Sequence, residues 1–112
     1  MEIIKDKISA AELNKMIGEY FDEMVKGVVD VESGALALNA GLHADLETLL
    51  VEHGSRNSDL WGINIYPNKT GADFIEFDSM INIKPEFNNR SRSVEDAGTR
   101  KKIIDIVKNK IA

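Results

Sequence analysis

The chain has 112 residues, 43% apolar and 29% charged, with no cysteine and a formal net charge of −5. This size and balance predict one globular domain over residues 1–112 rather than a disordered chain. The lack of cysteine excludes disulfides, thiolate metal sites, iron–sulfur clusters and cysteine nucleophiles, and the acidic balance disfavours nucleic-acid partners.

The opening residues Met1–Asp6 lack the basic and apolar regions of a secretory signal. No apolar run approaches the roughly 20 residues that cross a bilayer. The expectation is a soluble cytoplasmic protein with no membrane partner. Charge is unevenly spread. From Glu86 onward seven basic side chains oppose four acidic ones, a net +3, so the preceding residues carry −8. A basic end of this kind suits an anionic ligand or an acidic partner surface.

Ile3 and Ile4 are compatible with a short edge strand. The first helix is the clearest element. Ser9 and Glu12 have capping-box spacing, and Ile8 and Leu13 stand where a hydrophobic staple forms. Leu13, Ile17, Tyr20, Phe21 and Met24 then recur at helical intervals, a stripe that reads as core. Val28, Val29 and Val31 favour a strand, and Glu32-Ser33-Gly34 a tight turn. From Ala35 to Ala44 the pattern alternates, predicting the second arm of a hairpin. Asp45 is placed to cap a second helix carrying Leu46, Leu49 and Leu50. A start at Leu42 fits the same spacing, and Gly54 stops the helix.

A third strand follows, with Trp61, Ile63 and Ile65 on its apolar face and Gly62, Asn64 and Tyr66 opposite. Pro67–Gly71 is a turn. The fourth strand is expected to be long. Ile75, Phe77, Ile81 and Ile83 share one face, Glu76, Asp78, Asn82 and Lys84 the other, and Pro85 ends it. After an irregular Pro85–Arg92 loop, Ser93 with Asp96 offers a cap for the last helix, in which Ile103, Ile104, Val107 and Ile111 face inward. The fold class expected is α+β, in the order α-β-β-α-β-β-α. Three helices would lie over one side of a mostly antiparallel four-stranded sheet, as a two-layer sandwich.

No phosphate loop, HExxH, GxSxG or zinc-ligand spacing is present. His43-Ala44-Asp45 with Asp78 or Glu76 makes only a weak metal constellation, so no metal and no cofactor is expected. His53, just before Gly54, reads as a partner of the helix dipole. The polar sheet face is the place where chemistry can gather. Asn64, Glu76, Asp78 and Asn82 point away from the apolar layer, with His43 and Asp45 near the second helix and Asn89, Arg90 and Arg92 on the loop. In one reading Arg90 or Arg92 grips Asp78 and pins the loop, while the asparagines satisfy backbone. In the other, these residues form a cleft for an anionic small molecule.

Three functions remain open. The first is a small binding module for an anionic small molecule or partner. The second is a hydrolase- or transferase-like enzyme with His43 as general base beside a carboxylate. The third is an interaction protein that pairs as a homodimer through exposed sheet edges.

The segments Leu42–Asp45 (LHAD), Leu60–Asn64 (LWGIN), Ile75–Ile83 (IEFDSMINI) and Asn89–Arg92 (NRSR) carry a resemblance that extends over nearly the whole chain. The sequence resembles a small prokaryotic family defined only as a domain of unknown function. The resemblance implies a domain that stands alone and assigns it no activity, cofactor or partner.

Overall fold

The computed structural model describes residues 1–111. It is an α+β protein built on one antiparallel sheet, in the spatial order β1-β3-β2-β4-β5. The strands are β1 (Glu2–Ile4), β2 (Val25–Asp30), β3 (Leu36–Leu38), β4 (Leu60–Ile65) and β5 (Ile75–Glu76). The helices are α1 (Ala10–Met16), α2 (His43–Glu52) and α3 (Ala97–Lys110). No described helix is long and apolar enough to cross a membrane.

The sheet has five strands, not four, because Glu2–Ile4 pairs with β3 as an edge. It is also covered on both faces, so the two-layer expectation is corrected to three layers. Val25, Val29, Leu36, Trp61, Ile63 and Ile65 pack with Leu13 and Met16 of α1 and Ile103 and Val107 of α3. Val28, Ala37 and Leu60 pack on the opposite face against Leu46 and Leu50 of α2. Strands buried on both sides lose the polar alternation that marks a half-solvated sheet, and β2 (VKGVVD) is such a strand.

Local signals set several boundaries. The Ser9–Glu12 capping box is present in both directions. The first helix nevertheless stops at Met16. Ile17 is extended, Gly18 has φ +94° and its N–H turns to the Phe21 carbonyl (2.8 Å). Tyr20, expected in the core stripe, is 52% exposed. The β2–β3 turn is held by Asp30, whose carboxylate accepts from the Glu32 and Ser33 N–H groups at 2.8 and 3.0 Å. The alternating run after Ala35 is cut short by Asn39, which takes a left-handed φ of +76°. Helix α2 then begins at His43 with Leu42 as N-cap, so the helical reading of this segment wins over the strand and over a cap at Asp45. The expected long fourth strand collapses to two residues. Beyond Asp78 the chain turns through Met80–Asn82, capped by Ser79, and again through Pro85–Phe87. Asp96, not Ser93, caps α3 by accepting from the Thr99 N–H at 2.8 Å.

Candidate functional site

The face of the sheet beneath α2 is apolar at one end and polar at the other. Antiparallel register places Lys26 of β2 opposite Asn64 of β4, and Asn64 opposite Glu76 of β5. These three share a face because successive strand residues alternate sides. The first turn of α2 lies beside this row. His43 is buried there, and its Nε2 lies 2.8 Å from the Ile63 carbonyl. A carbonyl only accepts, so Nε2 carries the proton and Nδ1 is left as the titrating nitrogen. Burial pushes the His43 pKa down. The Ile63 carbonyl opposes this, the Lys26 charge adds to it, and Asn64 and Asp78 oppose it more weakly. The ring comes this close to the sheet because residue 62 is glycine. A Cβ there would lie 3.2 Å from His43 Cδ2 and 2.5 Å from Ser79 Cβ.

Asn64 donates to Glu76 Oε1 at 2.8 Å and more weakly to the Asp78 carbonyl at 3.3 Å. Its own Oδ1 is buried with no hydrogen-bond partner among the described residues. Glu76 also accepts from the Tyr66 hydroxyl at 3.1 Å, and proximity to that carboxylate adds to burial in raising the Tyr66 pKa. Arg92, not Arg90, binds Asp78, through Nε at 2.7 Å. Lys26 lies within reach of the same charges. Burial lowers its pKa, Asp78 and Glu76 pull it up, and Arg92 pushes it down.

Asn82 and Asn89 do different work. The Gly62 N–H donates to Asn82 Oδ1 (2.8 Å), and Asn82 Nδ2 donates to the Gly62 and Arg92 carbonyls (2.9 Å each). One side-chain amide thus stands in for the strand residue missing beside β4. Asn89 Nδ2 donates to the Asn82 and Ser93 carbonyls at 2.7 Å each, and Asn89 Oδ1 accepts from the Glu95 N–H at 2.9 Å. Both asparagines are buried fasteners of the irregular 77–96 segment, as the structural reading expected. Arg90 and Asp45 are exposed. The Arg90 backbone N–H, rather than its guanidinium, is what engages Glu95, at 3.0 Å.

Of the nine residues singled out in the sequence, His43, Asn64, Glu76, Asp78 and Arg92 converge, Asn82 and Asn89 support them from below, and Asp45 and Arg90 stand apart. Lys26 and Ser79 were missed. Lys26 was legible in principle, being the lone charge between the valines of β2 and in phase with Val28. Ser79 was hidden inside what reads as a continuous strand.

These groups border a cleft of about 250 Å³ lined by Lys26, Leu42, His43, Ala44, Ser79, Met80, Ile81 and Arg92. Leu42 offers no side-chain cap to α2, so the first amides of the helix add positive potential at the cleft. Such a set can hold a compact anion. Among the described residues no three His, Asp or Glu side chains converge as metal ligands. His43 also makes no hydrogen bond to a carboxylate there, so the ring lacks the orienting acid that general-base chemistry uses.

Comparison with curated proteins and with solved structures returned no match. A family match spans residues 2–110, almost the whole chain, and carries the description "Protein of unknown function (DUF5674)". The chain belongs to that family of unknown function.

Proposed function

We propose that this protein is a small cytoplasmic binding module whose cleft takes an anionic group, carboxylate or phosphate, of a small molecule or partner. The observation that carries the reading is the meeting of Lys26, Arg92 and the uncapped first turn of α2 around one cleft. Two cationic side chains and helix amides form a recognised anion-holding chemistry. Arg92 rests on Asp78 at 2.7 Å. An incoming anion therefore competes with a carboxylate already present, which sets a threshold against weakly charged ligands.

The homodimer alternative gains little from the sheet edges. β1 offers three residues, with Lys110 Nζ donating to the Ile4 carbonyl at 3.1 Å, and β5 offers two. Short, blunted edges discourage strand pairing.

The test is a titration of the 15N-labelled protein with inorganic phosphate, following backbone amides. Saturable shifts at His43 and Ala44 that weaken in Lys26→Ala and Arg92→Ala are expected. Shifts that never saturate, or that persist unchanged in both variants, would refute the reading.

A further inference from the structure

The anion cleft is one end of a longer trough. Met80 and Ile81 wall it, and the same two side chains wall a second cleft of about 310 Å³ that includes Glu47 and Glu86. That second cleft shares Ser58 and Phe87 with a third, of about 540 Å³, which reaches Glu95 and Asp96. Charge therefore changes sign along these adjoining clefts, from Lys26 and Arg92 in the first, through Glu47 and Glu86 with Lys84 in the second, to Glu95 and Asp96 in the third. Large apolar side chains stand out of it. Leu42 is 62% exposed, Met80 65% and Phe87 54%. Contiguous exposed side chains of this size mark surfaces that meet a partner.

We infer that the trough docks an extended peptide in one direction, its C-terminal carboxylate in the Lys26–Arg92 cleft and its last apolar side chains on Met80 and Phe87. Basic residues further upstream then face Glu86, Glu95 and Asp96. Capture of a chain terminus by a helix end and flanking cations is a known mode of peptide recognition. An acyl chain bearing a carboxylate suits the first cleft equally well, but it offers no charge to the second and third clefts, where Glu47, Glu86, Glu95 and Asp96 outnumber Lys84. A peptide with upstream lysine or arginine answers both charges, so the sign reversal favours the peptide. The inference rests on the anion-cleft reading above and adds the partner to it.

The experiment uses a pool of fluorescein-labelled hexapeptides with Lys at the first two positions and Leu, Ile, Val or Phe at the last two. Fluorescence anisotropy is read against the same pool with amidated C-termini. The free-acid pool is expected to bind and the amidated pool to bind at least about ten-fold more weakly, the worth of one charge-assisted contact set. The variant Phe87→Ser, at an exposed position outside the anion cleft, is expected to lose most peptide binding and to keep the phosphate-induced shifts at His43 and Ala44. Equal binding of the amidated pool, or unchanged binding by Phe87→Ser, overturns the inference. So does displacement of the peptides by decanoate at equal concentration, which would assign the trough to an acyl chain. Phosphate shifts without any peptide binding would overturn the peptide alone, whereas failure of both ligands would remove the anion cleft as well.

Discussion

Replacing Asn82 by alanine probes the device on which the site is built. The side chain makes three hydrogen bonds, two of them to the N–H and carbonyl of Gly62 and one to the Arg92 carbonyl, all between 2.8 and 2.9 Å. Gly62 lies in a strand buried along its length, and Asn82 itself has no exposed surface. Truncation therefore strands backbone groups in the interior, and each unsatisfied buried group costs about 1–3 kcal/mol. Counting both Gly62 groups and allowing some entry of water, the variant should lose about 3 kcal/mol, a large share of the ~5–15 kcal/mol that holds a domain of this size together. With a urea m-value of ~1.5 kcal/mol/M, the midpoint should fall by about 2 M at unchanged slope. Urea unfolding followed by Trp61 fluorescence measures this directly. Amide exchange should show the Gly62 N–H opening faster than its neighbours Trp61 and Ile63. A loss below ~1 kcal/mol with Gly62 exchange unchanged would refute the reasoning, since a side-chain hydrogen bond of ordinary net worth would explain so small an effect.

Gly62→Ala should destabilise by about 1–3 kcal/mol through overpacking, because the added methyl would stand 2.5 Å from Ser79 Cβ; thermal unfolding measures it, and a neutral result would mean that Ser79 and His43 move aside freely. His43 titrates below its ordinary value of 6.5 because it is buried. As pH falls the unfolded chain takes up the proton first, so stability should decline from about pH 6.5 downward until the folded ring is protonated too, and His43→Gln should flatten that slope; an imidazole NMR midpoint at or above 6.5 would contradict it. Asp78→Asn breaks an ion pair whose side chains are 43% and 55% exposed, so it should cost less than ~1 kcal/mol in stability. By freeing Arg92 it should also tighten phosphate binding at the α2 amides, and weaker binding in this variant would show that Asp78 helps to hold the ligand.

The sequence by itself determined the elements whose signals are local. The Ser9–Glu12 box, the turn ending at Gly34, the apolar face of Trp61, Ile63 and Ile65, and the inward Ile103 and Val107 of α3 follow from spacing and cap chemistry, whereas Ile104, expected inward as well, is only half-buried and Ile106 packs against the core. His53 likewise closes α2, its Nδ1 lying 2.8 Å from the Leu49 carbonyl. Tertiary structure decided the rest, because it decides which groups lose water. Ile75–Ile83 alternates as a strand would, yet Asn82 spends its amide on Gly62 and ends the pairing after two residues. Phe77 then packs with the α1–α3 core while Ile81 packs on the α2 side, so alternation along the sequence no longer means one face. The polar cluster survives that change because Asn64 and Glu76 are set by sheet register and Arg92 is returned to Asp78 by the fastened loop. Lys26 joins from a strand 38 positions earlier than Asn64, a meeting that only the β2–β4 ladder makes. Propensity acts within a few residues, whereas a site is assembled by burial and pairing between segments far apart in the chain.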